Sequence, residues 1–496
     1  MWPGVPRRED GRVTEIIAGL YLSPLELLAV LGAVALVAAR WLPGAARPRV
    51  TLAAVMVLVP AAIVLSVTGM RWQMAPALAG AAVAAPFALS PWLRRRAGRP
   101  AWRARWWLAL PGSAVCVGLI ATGPVAAWAF PVPVFPEPSG RFAVGTRVVQ
   151  WTDPHRPESF TADPHDRRTV VVQLWYPARK SPAGTPLARY LGRTEHEARI
   201  VSGALARGAG LPGFLVDGVP RAHTHAVFDA PVTGGGGRFP VVLFSPGSGG
   251  VRTQNTAWAE ELASHGYVVA ALDHPYDSAA VVLADGRTIR ARTTSSGDRV
   301  EDGRLAARWT AVRAADLRFV LTRLEHPGRD GAAGPLAGRL DTGRVAVTGH
   351  SMGGAAALQA ARQDRRFDAV IDLDGYPHGP AFPALRRPAL ALTQAITPAT
   401  DPDYLPRLTS ALEHSTATSY RLTVPGAAHL TFMDGPLYLP PVPSVVGSLG
   451  RAESPRVVAA TTLAFLDATL RHRPVDLAGV LSAHGDLTVH RPDGTR

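Results

Sequence analysis

Arg344-Val-Ala-Val-Thr-Gly-His-Ser-Met-Gly-Gly-Ala355 decides how this chain is read. The apolar residues Val345–Thr348 predict a strand, and the small residues Gly353 to Ala357 predict a closely packed helix. Between them, Gly349-His350-Ser351-Met352-Gly353 fits Gly-x-Ser-x-Gly, the pattern of a nucleophile elbow. The composition has a physical reason. The turn strains the serine backbone, and side chains at the flanking positions would collide with the neighbouring strand and helix. A serine at a helix start also meets free N–H groups and the helix dipole, which favour developing negative charge. Five such residues recur by chance; the strand before and the helix after make Ser351 a candidate nucleophile rather than an ordinary turn serine.

A hydroxyl needs a base, and the base needs an orienting acid. In this strand–turn–helix setting they follow in the order Ser, Asp, His. Asp374 ends the predicted strand Ala369–Leu373, where parallel sheets present functional side chains. Asp372 lies two residues deeper on the same strand face, and its competing role is a structural hydrogen bond. His429 sits in Thr423-Val-Pro-Gly-Ala-Ala-His-Leu-Thr-Phe-Met-Asp434, just past the last clear strand. Its rivals are His378, four residues beyond Asp374, and His414, on a predicted surface helix. Two backbone N–H donors complete the set. One is Met352; the other belongs to Ser245-Pro-Gly-Ser-Gly-Gly250, with Ser248 as the donor. The alternative for that loop is a glycine-rich turn without chemistry. A phosphate loop is excluded, because the lysine of that motif is missing.

Outward from these motifs, strand-like and helix-like segments alternate. Strands are expected at Thr169–Leu174, Val241–Phe244, Val268–Leu272, Val345–Thr348, Ala369–Leu373, Ala389–Leu392 and Tyr420–Val424. Helices are expected at Gln254–His265, Leu305–Glu325, Met352–Arg362 and Pro455–His472. That alternation predicts a mostly parallel sheet flanked by helices, an α/β-hydrolase fold, over residues 141–475. Residues 191–237, rich in glycine, read as a cap over the site, and 476–496 as a C-terminal tail.

The N-terminal part is different. Residues 1–105 hold thirteen arginines against four acidic residues, a net of +9 out of +14 for the chain. Lys180 is the only lysine. The arginines flank apolar runs instead of clustering with aromatics on a folded module, so a nucleic-acid partner is excluded. After a tail over 1–21, four runs within 22–129 (Leu22–Leu42, Val50–Gly69, Met74–Leu93 and Trp106–Ala129) are each long enough to span a bilayer at about 20 residues. Trp41, Trp72, Trp92, Trp106, Trp107 and Trp128 mark their ends, as an interfacial aromatic belt does. Glu26 is the main blemish, with an interface in reach. The first run lacks the short apolar core and cleavage site of a signal peptide. Arg40, Arg47, Arg49, Arg94, Arg95, Arg96, Arg99, Arg103 and Arg105 lie in the first and third loops, against Arg7, Arg8, Arg12 and Arg71 elsewhere. Positive-inside bias then puts both termini outside a cytoplasmic membrane, with the catalytic domain extracytoplasmic. Runs without charge pairs offer a transporter no conduction path. A proline-rich linker, 130–140, follows. Cys116, the single cysteine, can form neither an internal disulfide nor a multi-cysteine metal site, and is expected to pack as a small apolar residue. No metal or cofactor is expected.

Together these motifs resemble the platelet-activating-factor acetylhydrolase family, which includes lipoprotein-associated phospholipases and related bacterial lipases. The resemblance rests on Leu174-Trp-Tyr-Pro-Ala178, Phe239-Pro-Val-Val-Leu-Phe-Ser-Pro-Gly-Ser-Gly-Gly250, Leu262-Ala-Ser-His-Gly-Tyr-Val-Val-Ala-Ala-Leu-Asp-His274, the elbow, Leu373-Asp-Gly375 and His429. The spacings from Ser351 to Asp374 and on to His429 are also similar to that family. The resemblance implies Ser351 as nucleophile, Asp374 as acid, His429 as base, and donors at Ser248 and Met352. It implies calcium-independent cleavage of short or oxidised acyl chains from phospholipids, with membrane lipid or a small hydrophobic ester as partner. Pro246 stands where many members carry histidine, which leaves the backbone donor intact and the substrate preference open. Other readings are an esterase, lipase or acyltransferase of envelope lipids or polyesters and, from another class, a membrane-anchored hydrolase domain that only binds.

Overall fold

Each N-terminal apolar run winds into a helix: α1 (Pro24–Ala38), α2 (Arg47–Thr68), α3 (Met74–Arg96) and α4 (Trp106–Ala129). This computed structural model describes residues 16–17, 19–98, 105–292, 296–326, 334–379, 384–397 and 400–492. Arg7, Arg8, Arg12, Arg99 and Arg103 of the charge pattern lie outside the described residues. All four helices are long and apolar enough to cross a membrane. Small residues such as Ala29, Ala33, Ala54, Ala77 and Ala81 are buried where the helices meet, while Leu31, Leu52, Ile63, Leu110 and Val125 are exposed. So much exposed apolar surface is unfavourable in water and matched to lipid chains.

Glu26 does not reach for an interface. Ser23 and Glu26 form a capping box at the start of α1. The Glu26 carboxylate then accepts from Arg71 at 2.7 and 2.8 Å, and Arg71 also donates to the Tyr21 carbonyl at 2.9 Å. Both side chains are under 5% exposed, at 2% and 4%. The expectation of runs without charge pairs is therefore corrected. A buried pair stays together because either charge alone would be far costlier there.

The helical unit comprises residues up to Val134 with Phe214–Gly218; the second unit comprises Phe135–Gly213 and Val219–Arg496. The expected linker thus divides near its middle. Phe135 is buried, its ring 4.8 Å from that of Tyr190. Ser139 N–H donates to Glu261 at 2.8 Å and Gly140 N–H to Ser264 at 3.0 Å.

The second unit is built on β1 (Ala143–Pro157), β2 (Arg167–Ala178), α5 (Glu195–Gly208), β3 (Val227–Phe228), β4 (Phe239–Ser245), α6 (Thr256–Ser264) and β5 (Val268–Asp273). A small hairpin, β6 (Ala280–Val282) and β7 (Thr288–Arg290), leads to α7 (Arg299–Glu325), β8 (Leu340–His350) and α8 (Met352–Gln363). Then come β9 (Ala369–Leu373), β10 (Ala389–Thr393), α9 (Tyr404–Glu413), β11 (Ser419–Thr423), α10 (Pro443–Val446), α11 (Gly450–Thr469), α12 (Leu477–Ser482) and β12 (Asp486–His490). The ten-stranded sheet runs β12-β11-β10-β9-β8-β4-β5-β2-β1-β3. Its six central strands, β11 to β5 in that order, are mutually parallel. Parallel strands are covered on both faces and so read as continuous apolar runs. Val241, Leu243, Val345 and Val347 pack toward α7 and α8, while Val242, Phe244, Ala346 and Ile371 pack toward α6 and α11.

Three regions differ from expectation. The long antiparallel β1–β2 pair, with its irregularity between Thr152 and Pro157, extends the sheet through residues whose mixed polarity hides a strand. Residues 477–490 are no tail: α12 packs into the core, and β12 caps the sheet edge antiparallel to β11. Within 191–237, Thr194 caps α5, and Glu197 is joined to Arg252 at 2.7 Å in the interior. Arg252 also binds Asp273, so buried charge fastens α5 to the end of β5.

Candidate active site

Parallel strands deliver their C-terminal ends to one edge, and the candidate residues follow β4, β8, β9 and β11 at that edge. Ser351 leaves β8 with φ +56° and ψ −123° and becomes the N-cap of α8. A side chain in this left-handed region costs about 1–3 kcal/mol and persists only where its surroundings hold it. Here the Ser351 N–H donates to the Leu373 carbonyl at 2.8 Å. A Cβ on Gly353 would stand 2.0 Å from the Ser245 carbonyl oxygen, and one on Gly349 would stand 2.2 Å from the backbone of Gly353. The collisions expected from the motif are therefore with β4 on one side and α8 on the other.

The next residue after β9, Asp374, also has positive φ, +57°. Its backbone N–H donates to the Leu392 carbonyl at 2.8 Å, and its carboxylate is buried. Four donors converge on it. Oδ1 accepts from the Gln394 N–H (3.0 Å) and the Tyr404 hydroxyl (2.9 Å); Oδ2 accepts from Gln394 Nε2 (2.8 Å) and His429 Nδ1 (2.6 Å). A carboxylate receiving Nδ1–H leaves His429 Nε2 as the acceptor. The His429 side chain is 42% exposed, so that nitrogen is open to a substrate. The structure brings Asp374 and His429 together directly. Among the described residues no hydrogen bond ends on Ser351 Oγ; such contacts commonly tighten only when substrate is bound.

Asp372 occupies a different environment. Its Oδ1 accepts from Gly375 N–H at 3.0 Å, while Oδ2 has no partner among the described residues. Burial, with the Asp374 charge beside it, pushes its carboxyl well above the usual carboxylate range. Burial thus favours its neutral form beside a neighbour that accepts four hydrogen bonds. His378 lies tilted against the Tyr376 ring, and His414 caps the end of α9.

The loop after β4 passes close to Ser351: a Cβ on Gly247 would lie 3.0 Å from His350 Nδ1 and 3.5 Å from Ser351 Cβ. Sequence reasoning missed how this loop is tied to the base. Gly247 N–H donates to Gln254 Oε1 at 3.2 Å, which assigns Nε2 of that amide as donor to His350 Nδ1 at 2.9 Å. His350 Nε2–H is then the donor to the His429 carbonyl at 2.9 Å. Burial lowers the His350 pKa to about 3, so it keeps this neutral tautomer. No local pattern marks Gln254, Gln394 or Tyr404, because their partners are far away in the chain.

A second Ser–His–Asp line lies beneath. Ser245 Oγ meets His274 Nε2 at 2.9 Å, and His274 Nδ1 meets Asp316 at 2.8 Å. All three are fully buried, and Asp316 is also bound by Arg168 (2.7 Å) and Arg156 (2.6 Å). It joins the ends of β4 and β5 to α7 and offers substrate no exposed atom.

Two family models match the chain: platelet-activating factor acetylhydrolase, isoform II, over residues 129–294, and PET hydrolase-like over residues 312–406. A probable 1-alkyl-2-acetylglycerophosphocholine esterase of Arthroderma benhamiae is 27% identical over 49% of this chain and 59% of its own length. The platelet-activating factor acetylhydrolase of Bos taurus is 30% identical over 28% of this chain and 36% of its own. The chain thus spans less than two thirds of these relatives. The solved ferulic acid esterase from Streptomyces cinnamoneus is 32% identical, with a TM-score of 0.57, covering 72% of this chain and 98% of that one. The chain belongs to the α/β-hydrolase superfamily, as a relative of the platelet-activating-factor acetylhydrolase-like esterases that carries an added N-terminal four-helix unit.

Proposed function

We propose that this chain is a serine carboxylic-ester hydrolase working through an acyl-enzyme. The observation that carries the reading is the 2.6 Å bond between the half-exposed His429 and Asp374, which follows the strand next to that of a serine with positive φ. In this scheme Ser351 Oγ attacks the ester carbonyl while its proton passes to His429 Nε2. Charge on the carbonyl oxygen is met by the N–H groups of Ser248 and Met352. The C–O bond to the alcohol breaks as His429 returns the proton to the leaving oxygen. Water then attacks the acyl-serine by the same route, releasing the acid and restoring Ser351. No step calls for a metal or cofactor.

The substrate class we favour is a short-acyl or oxidised phospholipid, or a related lipid ester. The acetylhydrolase-type matches and a four-helix unit suited to lipid support it. Arginine asymmetry supports a cytoplasmic membrane with the catalytic unit on the outer face. A second reading, an aromatic ester, is favoured by the near-complete coverage of the ferulic acid esterase and by the PET hydrolase-like match. Rates on short-acyl phospholipids, p-nitrophenyl esters of graded length and methyl ferulate decide between them. Preference for the short acyl chains supports the first, preference for the ferulate the second, and hydrolysis of none removes both.

A further inference from the structure

Arg313, on α7, is fully buried and lies outside every motif of the sequence. Its guanidinium reaches the loop after β4. Nε pairs with Asp277 at 2.5 Å, and Nη1 donates to Ser245 Oγ at 3.2 Å and to the Pro246 carbonyl. Nη2 donates to the Gly247 carbonyl at 2.9 Å. Two consecutive peptide groups are thereby fixed from one side. In the first, the Pro246 carbonyl is held by Arg313 and the Gly247 N–H by Gln254. In the second, the Gly247 carbonyl is held by Arg313 and also accepts from Gly250 N–H at 2.9 Å. The following donor, Gly249 N–H, reaches Asp277 Oδ1 at 3.4 Å.

That leaves the N–H of Ser248 without a hydrogen bond among the described residues, at an exposed position. In a trans peptide the C=O and N–H point in opposite directions. Whatever holds the Gly247 carbonyl therefore aims the Ser248 N–H. A planar guanidinium holding adjacent carbonyls through separate nitrogens sets an angle that a flexible ammonium cannot. We propose that Arg313, braced by Asp277, is a positioning residue that aims the Ser248 N–H at the developing oxyanion. The inference rests on the ester-hydrolase reading above and assigns one of its donors a cause.

The test uses the full-length protein in detergent. Arg313→Lys keeps the charge and loses the fork; Asp277→Asn keeps the shape and loses the brace. Loss of an oxyanion donor lowers kcat by about 10²–10³-fold, so a misaimed one in Arg313→Lys should cost on the order of 10²-fold with KM little changed. Affinity for a trifluoromethyl ketone, whose adduct carries the tetrahedral oxyanion, should fall by a similar factor, while binding of the product acid stays constant. Asp277→Asn should move the same two readouts by a smaller factor. Active-site titration and the melting temperature report how much folded enzyme remains. If Arg313→Lys does not fold, Asp277→Asn decides on the same readouts. A lowered melting temperature with kcat per titrated site and ketone affinity unchanged would overturn the proposal, as would a rise in KM alone. If the wild-type chain itself forms no acyl-enzyme, the ester-hydrolase reading has failed, and this inference goes with it.

Discussion

Replacing Asp374 by asparagine puts an NH2 group where four donors already converge. If that NH2 takes the Oδ1 position, it faces the backbone N–H of Gln394, which cannot turn away. At the Oδ2 position it faces two groups that can adapt: the Gln394 amide can flip, and His429 can move its proton from Nδ1 to Nε2. The second arrangement leaves no donor opposed and should prevail. It also puts a proton on the nitrogen that must receive one from Ser351. The expected loss in kcat is about 10⁴-fold, or about 5.4 kcal/mol in the barrier, with the fold intact. Asp372→Asn is the contrast. Burial already favours the neutral form of Asp372, its Oδ1 takes the Gly375 N–H, and an amide can do the same. Activity should stay within about threefold and stability within about 1 kcal/mol. Steady-state rates on p-nitrophenyl acetate, with melting temperatures for both proteins, make the comparison. Near-full activity in Asp374→Asn together with collapse in Asp372→Asn would refute the assignment of the acid.

Acidification below about pH 6.5 should cost the second unit stability at two buried histidines. Burial holds His350 and His274 neutral with pKa values of about 3 and about 4, below the unfolded value of about 6.5. The unfolded chain therefore takes up protons first; stability is whole above about pH 6.5 and declines toward the folded values, at up to about 1.4 kcal/mol per pH unit for each histidine. Because burial raises the Asp372 carboxyl and so works in the opposite sense, the test is comparative: His350→Gln should lose less melting temperature than the wild type from about pH 6.5 to about pH 4.5, and an equal loss would contradict this. A fragment of residues 131–496 should be soluble and active. One starting at residue 141 should melt lower, because it loses Phe135 and the Ser139–Glu261 contacts; equal melting would mean they contribute nothing. A periplasm-dependent phosphatase fused at the C-terminus should be active and a cytoplasm-only reporter silent, and the reverse pair would place the catalytic unit inside.

The legible parts of this fold are those whose physics is local. β4, β9, β10 and the second half of β8 are short apolar runs because both faces are covered, and the elbow of Gly349 to Gly353 is a sterically demanding turn within five residues. Asp374 could be preferred over Asp372 because it stands past the end of the strand while Asp372 lies within it, although both are buried. The hidden parts depend on distant partners. β1 mixes polar and apolar residues, and β12 is recognisable only once β11 offers it an edge. Glu26 reads as a blemish until Arg71 arrives from 45 residues away. Likewise Gln254 and Arg313 lie outside every motif and His350 fills a variable position of the elbow, yet each acts by reaching a backbone group that folding brings to it.

If Ser351 is the nucleophile, it will react with a serine-directed phosphonylating reagent. Treat the full-length protein with a fluorophosphonate, digest it, and locate the adduct by mass spectrometry. One stoichiometric adduct is expected on the peptide containing Ser351, absent from Ser351→Ala and strongly slowed in His429→Ala. Labelling that persists in Ser351→Ala, or an unlabelled wild-type protein that still hydrolyses esters, would contradict it.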